Sequence, residues 1–510
     1  MINSNAKNMK FIVAGLLLGI LMSAMDNTIV TTAMGTIVNK LGGLDQFVWV
    51  TSAYMVTVMA GTPIFGKLSD MYGRKRFFIF GLIIFLLGSI LCGTAQSITQ
   101  LSIYRAIQGI GGGALMPIAF TIIFDIFPAE KRGKATGLFG AVFGMSSIFG
   151  PLLGAFITES FGWNWVFYIN IPLGIVALIL ISVFYKESLS HAKQKIDWGG
   201  AATLVGAVIC LMFALELGGK KYAWDSTTIL TLFAGFTILF VLFLMIERKV
   251  SEPIISFEMF RTRLFATSNL VALMYGSVFI VATVYIPIFV QGVYGGSATN
   301  SGLILMPMMI GSVVGSQTGG FLTTKTSFRN IMMISVSSLL LGIVLLSSMT
   351  QDTPKSLLTL YSIFTGFGVG FSFSVLSMAA IHHFDYRKRG AATSTNSFLR
   401  SLGMTLGITI FGIIQRNTFS DQIKQSFGNS SEGGPTFSNP QQALDPENRK
   451  LIPEPVLQKI TAALSTSIAH SFMWALIPVA FAVIFVFLMP KDRLKLHAKK
   501  SSTPVEPSQG

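Results

Sequence analysis

Apolar residues run along this chain in long uninterrupted stretches rather than in short alternating ones. Fourteen such runs stand out, at about 11–33, 48–66, 77–97, 102–124, 137–158, 164–184, 198–216, 227–246, 265–290, 301–322, 330–349, 357–380, 393–414 and 468–489. A hydrocarbon layer about 30 Å thick takes roughly 20 residues of helix to cross, and inside it only helices or closed barrels satisfy their own backbone. Period-2 alternation is missing, so the pattern predicts an all-α integral membrane protein with 14 transmembrane helices. The first run is too long for a signal sequence, contains Asp26 and is followed by no small-residue cleavage pattern, so it is expected to stay as a span.

Composition points the same way. Of 510 residues, 52% are hydrophobic and 12% charged, whereas soluble domains carry about 25% charged residues. Cys92 and Cys210 both lie in apolar runs, which leaves no disulfide framework or thiolate zinc site. With the N-terminus inside, 26 of the 37 Lys and Arg fall on cytoplasmic segments, as the positive-inside rule requires. Both termini are then expected in the cytoplasm of a cell (plasma) membrane protein, with Trp49, Trp163, Trp165 and Trp224 at the outer interface. The net charge of +15 thus reports orientation, and nucleic acid is not needed as a partner. Three charges remain within spans: Asp26, Arg105 and Arg400.

The chain also repeats. Lys131 to Thr136 matches Lys388 to Thr393 at an offset of 257, and Gly66-Lys67-Leu68 aligns weakly with Gly320-Phe321-Leu322 at 254. The division that follows is a six-helix bundle over 1–190, an inserted helix pair over 191–250, and a second six-helix bundle over 251–489 with a long outer loop at 415–467, then a cytoplasmic tail at 490–510. Repeated halves around a central site are a common transporter plan.

Between the second and third runs stands Gly66-Lys67-Leu68-Ser69-Asp70-Met71-Tyr72-Gly73-Arg74-Lys75-Arg76. Its glycines allow close approach and a tight turn, and Asp70 can accept from a helix N-terminus or a basic partner. This resembles the G-x-L-x-D-x-x-G-R-K/R loop of the major facilitator superfamily, and the resemblance implies a conformational gate at Gly66, Asp70, Gly73 and Arg74 on the cytoplasmic side. Arg105, Gln108 and Gly109 in the fourth run are similar to the family's R-x-x-Q-G stretch. A buried arginine costs at least about 2.5–3.5 kcal/mol and needs an acceptor. Asp26 is the obvious one: both residues lie within about 10 Å of the outer boundary at 1.5 Å per residue.

The stretch from Met25 to Met34 resembles the D-x-T-I/V-x-x-x-A segment of the fourteen-span drug:proton antiporters, although Gly35 stands where that branch usually has proline. Gly140, Gly144, Gly150, Pro151 and Gly154 resemble the family's antiporter signature, with Ala155 replacing the last glycine. Trp163 to Pro172 resembles the branch's W-x-W-x-F-x-I-N-x-P stretch, whose two indoles are expected to anchor at the interface. Asn396, Arg400, Gly403 and Gly407 recur in the thirteenth run as in this branch.

The resemblance implies a proton-coupled efflux antiporter that expels amphipathic, often cationic compounds, with Asp26 and Arg105 coupling the proton and the proton gradient in place of any cofactor. Its expected partners are small amphipathic substrates, protons and the lipid bilayer, and it is expected to work as a monomer. Tyr54, Gln108, Tyr275, Asn396 and Arg400 are candidates for the substrate cavity. A dedicated exporter of one metabolite, antibiotic or lipid, or a membrane sensor or scaffold that transports nothing, remain alternatives. The absence of GxxxxGK[ST], GxSxG and HExxH argues against an ATP-driven pump or a hydrolase, and adjacent His382 and His383 point apart on a helix and make a poor metal site.

Overall fold

The computed structural model describes residues 6–42, 48–187, 196–219, 221–295, 298–427 and 452–494. The longer helices are numbered here in chain order. The first six are α1 (Ala6–Leu41), α2 (Val48–Tyr72), α3 (Arg74–Gly93), α4 (Ile98–Ile126), α5 (Ala129–Ser160) and α6 (Asn170–Phe184). Next come α7 (Trp198–Leu217) and α8 (Thr227–Glu247). The rest are α9 (Arg263–Gly292), α10 (Ala298–Leu322), α11 (Phe328–Ser347), α12 (Lys355–Ile381), α13 (Arg389–Phe427) and α14 (Glu454–Leu488). No strand occurs among the described residues; one isolated bridge joins Gly218 and Tyr222.

Local sequence sets many of the ends. Ser97, Asp197, Ser226 and Ser327 cap α4, α7, α8 and α11 by accepting the amides of Gln100, Gly200, Ile229 and Asn330, each satisfying an orphan donor of the first turn. Gly73, at φ 114°, makes the sharp break between α2 and α3 that a residue with a Cβ adopts only under strain.

Twelve helices among the described residues, rather than the fourteen expected, are long and apolar enough to cross a membrane. The runs at 48–66 and 137–158 lie in α2 and α5, which are 25 and 32 residues long. Ser, Thr, Gly and Pro are frequent in both, and this lowers their apolar content. The run at 164–184 divides into a single turn, Trp165–Tyr168, and α6. The connection expected at 415–467 is helical at both ends, since α13 continues to Phe427 and α14 begins at Glu454; its centre, 428–451, lies outside the described residues, as does most of the 490–510 tail.

Packing separates two bundles. In the first, α1 lies on α5 and α6, and α4 on α2 and α3; in the second, α12 lies on α10 and α11, α9 on α13, and α14 on α9, α11 and α13. The bundles meet where α2 touches α13, α5 touches α10 and α4 touches α13. The pair α7 and α8 packs mainly on itself, with α7 also resting on α2 and α13. Leu230, Ile238, Val241, Leu242 and Met245 of α8 stay exposed, an apolar face suited to lipid rather than water.

Candidate functional site

The charge in the middle of α1 is entirely enclosed. Asp26 and Arg105 are both fully buried, and Arg105 Nη1 donates to Asp26 Oδ2. Gln108, one turn along α4, donates through Nε2 to Asp26 Oδ1 at 2.8 Å and accepts from Arg105 Nη1 at 2.7 Å. Asn170, the first residue of α6, donates to the same Oδ1 at 3.0 Å. Ser89 of α3 meets both amides, 2.7 Å from Gln108 Nε2 and 3.0 Å from Asn170 Nδ2. One carboxylate therefore draws together α1, α3, α4 and α6.

The second side of Arg105 faces α2. Its Nε donates to the Val50 carbonyl at 3.3 Å, and its guanidinium lies 4.1 Å from the centre of the Tyr54 ring. The Tyr54 hydroxyl in turn sits 3.2 Å from Ser23 Oγ on α1. Arg105 Nη2 has no hydrogen-bond partner. A buried charge is tolerable when it is paired and bonded throughout; here one donor is left over. The arrangement gives the carboxylate one cationic partner and two amide donors.

The other charged centre lies at the end of the bundle carrying Lys67 to Arg76. Asp70 Oδ1 and Oδ2 accept the amides of Gly390 and Ala391, both at 2.9 Å. Asp70 thus caps the N-terminus of α13, a helix of the opposite bundle, with charge opposite to that helix end. Arg74 donates through Nη2 to Asp70 Oδ1 at 2.9 Å and to the Tyr386 carbonyl at 2.6 Å. It also pairs with Asp125 at the end of α4 and stacks 3.7 Å from the Tyr386 ring. Arg389 of α13 reaches the same Asp125 at 3.4 Å.

Backbones come close where this junction closes. A Cβ on Gly66 would stand 2.2 Å from Ser394 and 2.8 Å from the Gly390 carbonyl, and one on Gly390 would stand 2.5 Å from the Gly66 carbonyl. Nearby, Thr121 of α4 and Thr393 of α13 share a buried hydroxyl contact of 2.7 Å. Glu187 reaches the first turn of α3, its Oε1 accepting the Arg74 amide at 2.8 Å.

The remaining candidates are dispersed. Gly140, Gly144, Gly150, Pro151 and Gly154 all lie on α5. Gly150 and Gly154 face α1 so closely that a Cβ would fall 1.9 Å from Thr28 Oγ1 and 2.4 Å from Thr32 Oγ1, while Thr28 donates to the Ser146 carbonyl at 3.1 Å. In the second bundle Asn396 donates to Asn269 at 3.3 Å. Arg400 donates to Ser372 Oγ and to its carbonyl at 3.1 and 3.0 Å, and lies 4.5 Å from the Phe373 ring. Tyr275 points into its own bundle, 2.8 Å from Ser335 Oγ. His383 binds Asp492 at 2.8 Å, and among the described residues no group of three His, Cys, Asp or Glu gathers as metal ligands do.

Asn170, Ser89 and Asp125 were not singled out from sequence. A signal existed for Asn170, which lies in the Trp163 to Pro172 stretch assigned to interfacial anchoring. Trp165 is half exposed and fits that role, but the helix restarts at Asn170 and turns its amide inward.

Two apolar helical bundles meeting around buried charges define a multi-pass membrane transporter, not an enzyme. The chain belongs to the major facilitator superfamily, whose family model matches residues 16–408. It is 59% identical over 495 residues to Multidrug resistance protein 3 of Bacillus subtilis (strain 168), covering 96% of this chain and 97% of that protein. It is 37% identical to Multidrug transporter protein MdtP of the same organism, covering 97% and 95%. Among solved structures, the proton:xylose symporter XylE bound to 6-bromo-6-deoxy-D-glucose superposes with a TM-score of 0.60 at 14% identity, covering 94% of this chain and 96% of that one; this likeness bears on the fold alone.

Proposed function

We propose that the protein is a proton-coupled multidrug efflux antiporter that expels amphipathic, often cationic compounds by alternating access. Export of several drugs is supported by the two Bacillus relatives, named as multidrug proteins. Proton coupling rests on Asp26, a fully buried carboxylate held by Arg105, Gln108 and Asn170. A proton on Asp26 cancels the charge that retains the guanidinium and frees Arg105 to exchange partners, so proton binding and a change of packing between α1, α2 and α4 become one event. Drug and proton then alternate because each favours a different arrangement of the two bundles.

In this reading the chain crosses the plasma membrane fourteen times with both termini in the cytoplasm, works as a monomer, and draws on the proton gradient without a cofactor. The Asp70 junction is the cytoplasmic latch, closed here while Asp70 grips α13. Its opening exposes the cavity between the bundles to the cytoplasm and inner leaflet.

The test is transport by purified protein in proteoliposomes under an imposed pH gradient, across cationic and neutral drugs. Asp26→Asn is expected to abolish gradient-driven efflux with membrane insertion intact; unchanged coupled transport in that variant overturns the reading.

A further inference from the structure

Two carboxyls at the base of the inserted helices have no part in the transport cycle described above. Asp197 stands just before α7, and its Oδ1 accepts the Gly200 amide at 2.8 Å. Glu247 ends α8, and its Oε1 accepts the Ile254 amide at 3.1 Å, from the segment leading to α9. Asp197 is 7% and Glu247 3% exposed. The two carboxyls share one small space: a carbon added to Gly200 would lie 2.2 Å from Asp197 Oδ2 and 3.0 Å from Glu247 Oε1. Asp197 Oδ2 and Glu247 Oε2 are each buried without a hydrogen-bond partner.

Among the described residues little offsets two negative charges: Lys67 of α2 is the cation on that side, and it is engaged with Glu252 at 2.6 Å. Arg248 and Lys249, beside Glu247 in sequence, are exposed. Leu204 of α7, Phe243 of α8 and Ile254 and Ile255 before α9 belong to one apolar cluster with Val56 and Met59 of α2.

Two carboxylates in one desolvated space repel each other, and each unpaired oxygen carries its own desolvation cost. A single proton relieves both. Asp197 already accepts an amide at the N-terminus of α7, so the proton is placed on Glu247. A hydroxyl on Glu247 gives the pair a donor where two carboxylates offer only acceptors, and Glu247 can still accept the Ile254 amide. A metal ion fits less well, because calcium and magnesium take about six or more oxygens and no third His, Cys, Asp or Glu joins this group among the described residues.

We propose that Asp197 and Glu247 form a second proton-binding site, separate from Asp26, that fastens α7, α8 and the segment at 248–262 onto α2. Loss of the proton leaves two facing anions and loosens the joint. The effect passes to α2 through Glu252 and Lys67, and Lys67 lies three residues before the latch residue Asp70. Acidification on the latch side therefore tightens the inserted pair against the bundle interface.

Infrared spectroscopy of the full chain in lipid nanodiscs, at about pH 6.5 where free carboxylates are ionised, tests this directly. A carboxylic-acid C=O band is expected in the wild type and in Asp26→Asn, lost in Glu247→Gln and shifted in Asp197→Asn. The amide of Glu247→Gln reproduces the neutral donor, so that variant is expected to fold and to lack the fall in thermal stability expected of the wild type between about pH 6 and 9. The sign follows from the linkage: a group that binds its proton more tightly when folded stabilises at low pH and ceases to as pH rises. A band that persists in Glu247→Gln, one that disappears only on adding sodium, calcium or magnesium, or a Glu247→Gln protein that does not fold overturns the proposal. Loss of the band in Asp26→Asn instead would transfer the proton to the transport site.

Discussion

Gly66→Ala is the smallest change that should unfasten the two bundles. The added methyl would sit 2.2 Å from both Cβ and Oγ of Ser394 and 2.8 Å from the Gly390 carbonyl, well inside van der Waals contact. Gly390 is also the residue whose amide binds Asp70, so α13 cannot retreat from the methyl without stretching that bond. Overpacking of this kind costs about 1–3 kcal/mol, and it falls on the latched arrangement alone because α2 and α13 part when the latch opens. The latched fraction should then fall by about 5- to 150-fold relative to the open one. Thr393→Cys, in a background with Cys92→Ala and Cys210→Ala, reports the change, since Thr393 is 2% exposed and faces Thr121. In inside-out vesicles, labelling of this cysteine by an impermeant maleimide should rise at least about fivefold with Gly66→Ala. Equal labelling rates with and without the substitution would refute the latch, whereas Gly35→Ala, whose Cβ meets nothing within 4 Å, should leave the rate unchanged.

Three further outcomes follow from the same geometry. Asp70→Asn keeps an acceptor for one amide but loses the charge shared with Arg74, so turnover in proteoliposomes should fall while drug affinity, measured by equilibrium binding, stays within a few fold; a large affinity loss with normal turnover would contradict the assignment. Arg105→Gln leaves Asp26 as an uncompensated buried anion and should cost about 3–5 kcal/mol, read as a lowered melting temperature that Asp26→Asn restores in the double variant, whereas Arg400→Gln, with no acid to orphan, should melt close to the wild type. Gly154→Val drives a branched side chain against Thr32 and the Ile29 carbonyl and should lower the melting temperature by separating α1 from α5; an unchanged melt would show that this contact carries no packing energy.

What the sequence revealed depended on how far a residue stood out from its surroundings. A charge inside an apolar run is conspicuous, and two such charges at equal depth suggested the pairing of Asp26 with Arg105 that the fold displays. Asp70 was conspicuous through its glycines, which have little use in a simple basic turn. Asn170 and Ser89 were not, because an amide or a hydroxyl in a span is unremarkable until the helix that carries it is rotated toward a carboxylate. Tyr275 illustrates the converse: the phenol suggested a cavity, but its register on α9 turns it to Ser335. The span count was blurred by the same small and polar residues that let α2 and α5 approach their partners.

The internal repeat also separates what the halves share from what only one half does. At the offset of 254 the second bundle has Thr324 where the first has Asp70, and Thr324 Oγ1 turns back to the Phe321 carbonyl of its own helix. The helix end that Asp70 grips, Gly390 and Ala391, is the repeat copy of Gly133 and Lys134. Of the two repeat copies, only the second is shown gripped by an acid, Asp70, whose own repeat position holds Thr324. Inside the spans the two arginines, which are not repeat copies of each other, also differ: Arg105 meets a carboxylate and Arg400 meets a hydroxyl, a carbonyl and a ring. Two identical halves, each with its own acid, would give two protonation events and two latches to release in concert. In the proposed cycle both acids belong to the first bundle, so a proton at Asp26 and the grip of Asp70 would act on the same set of helices, α1 to α4. The second bundle then contributes the surface against which they move.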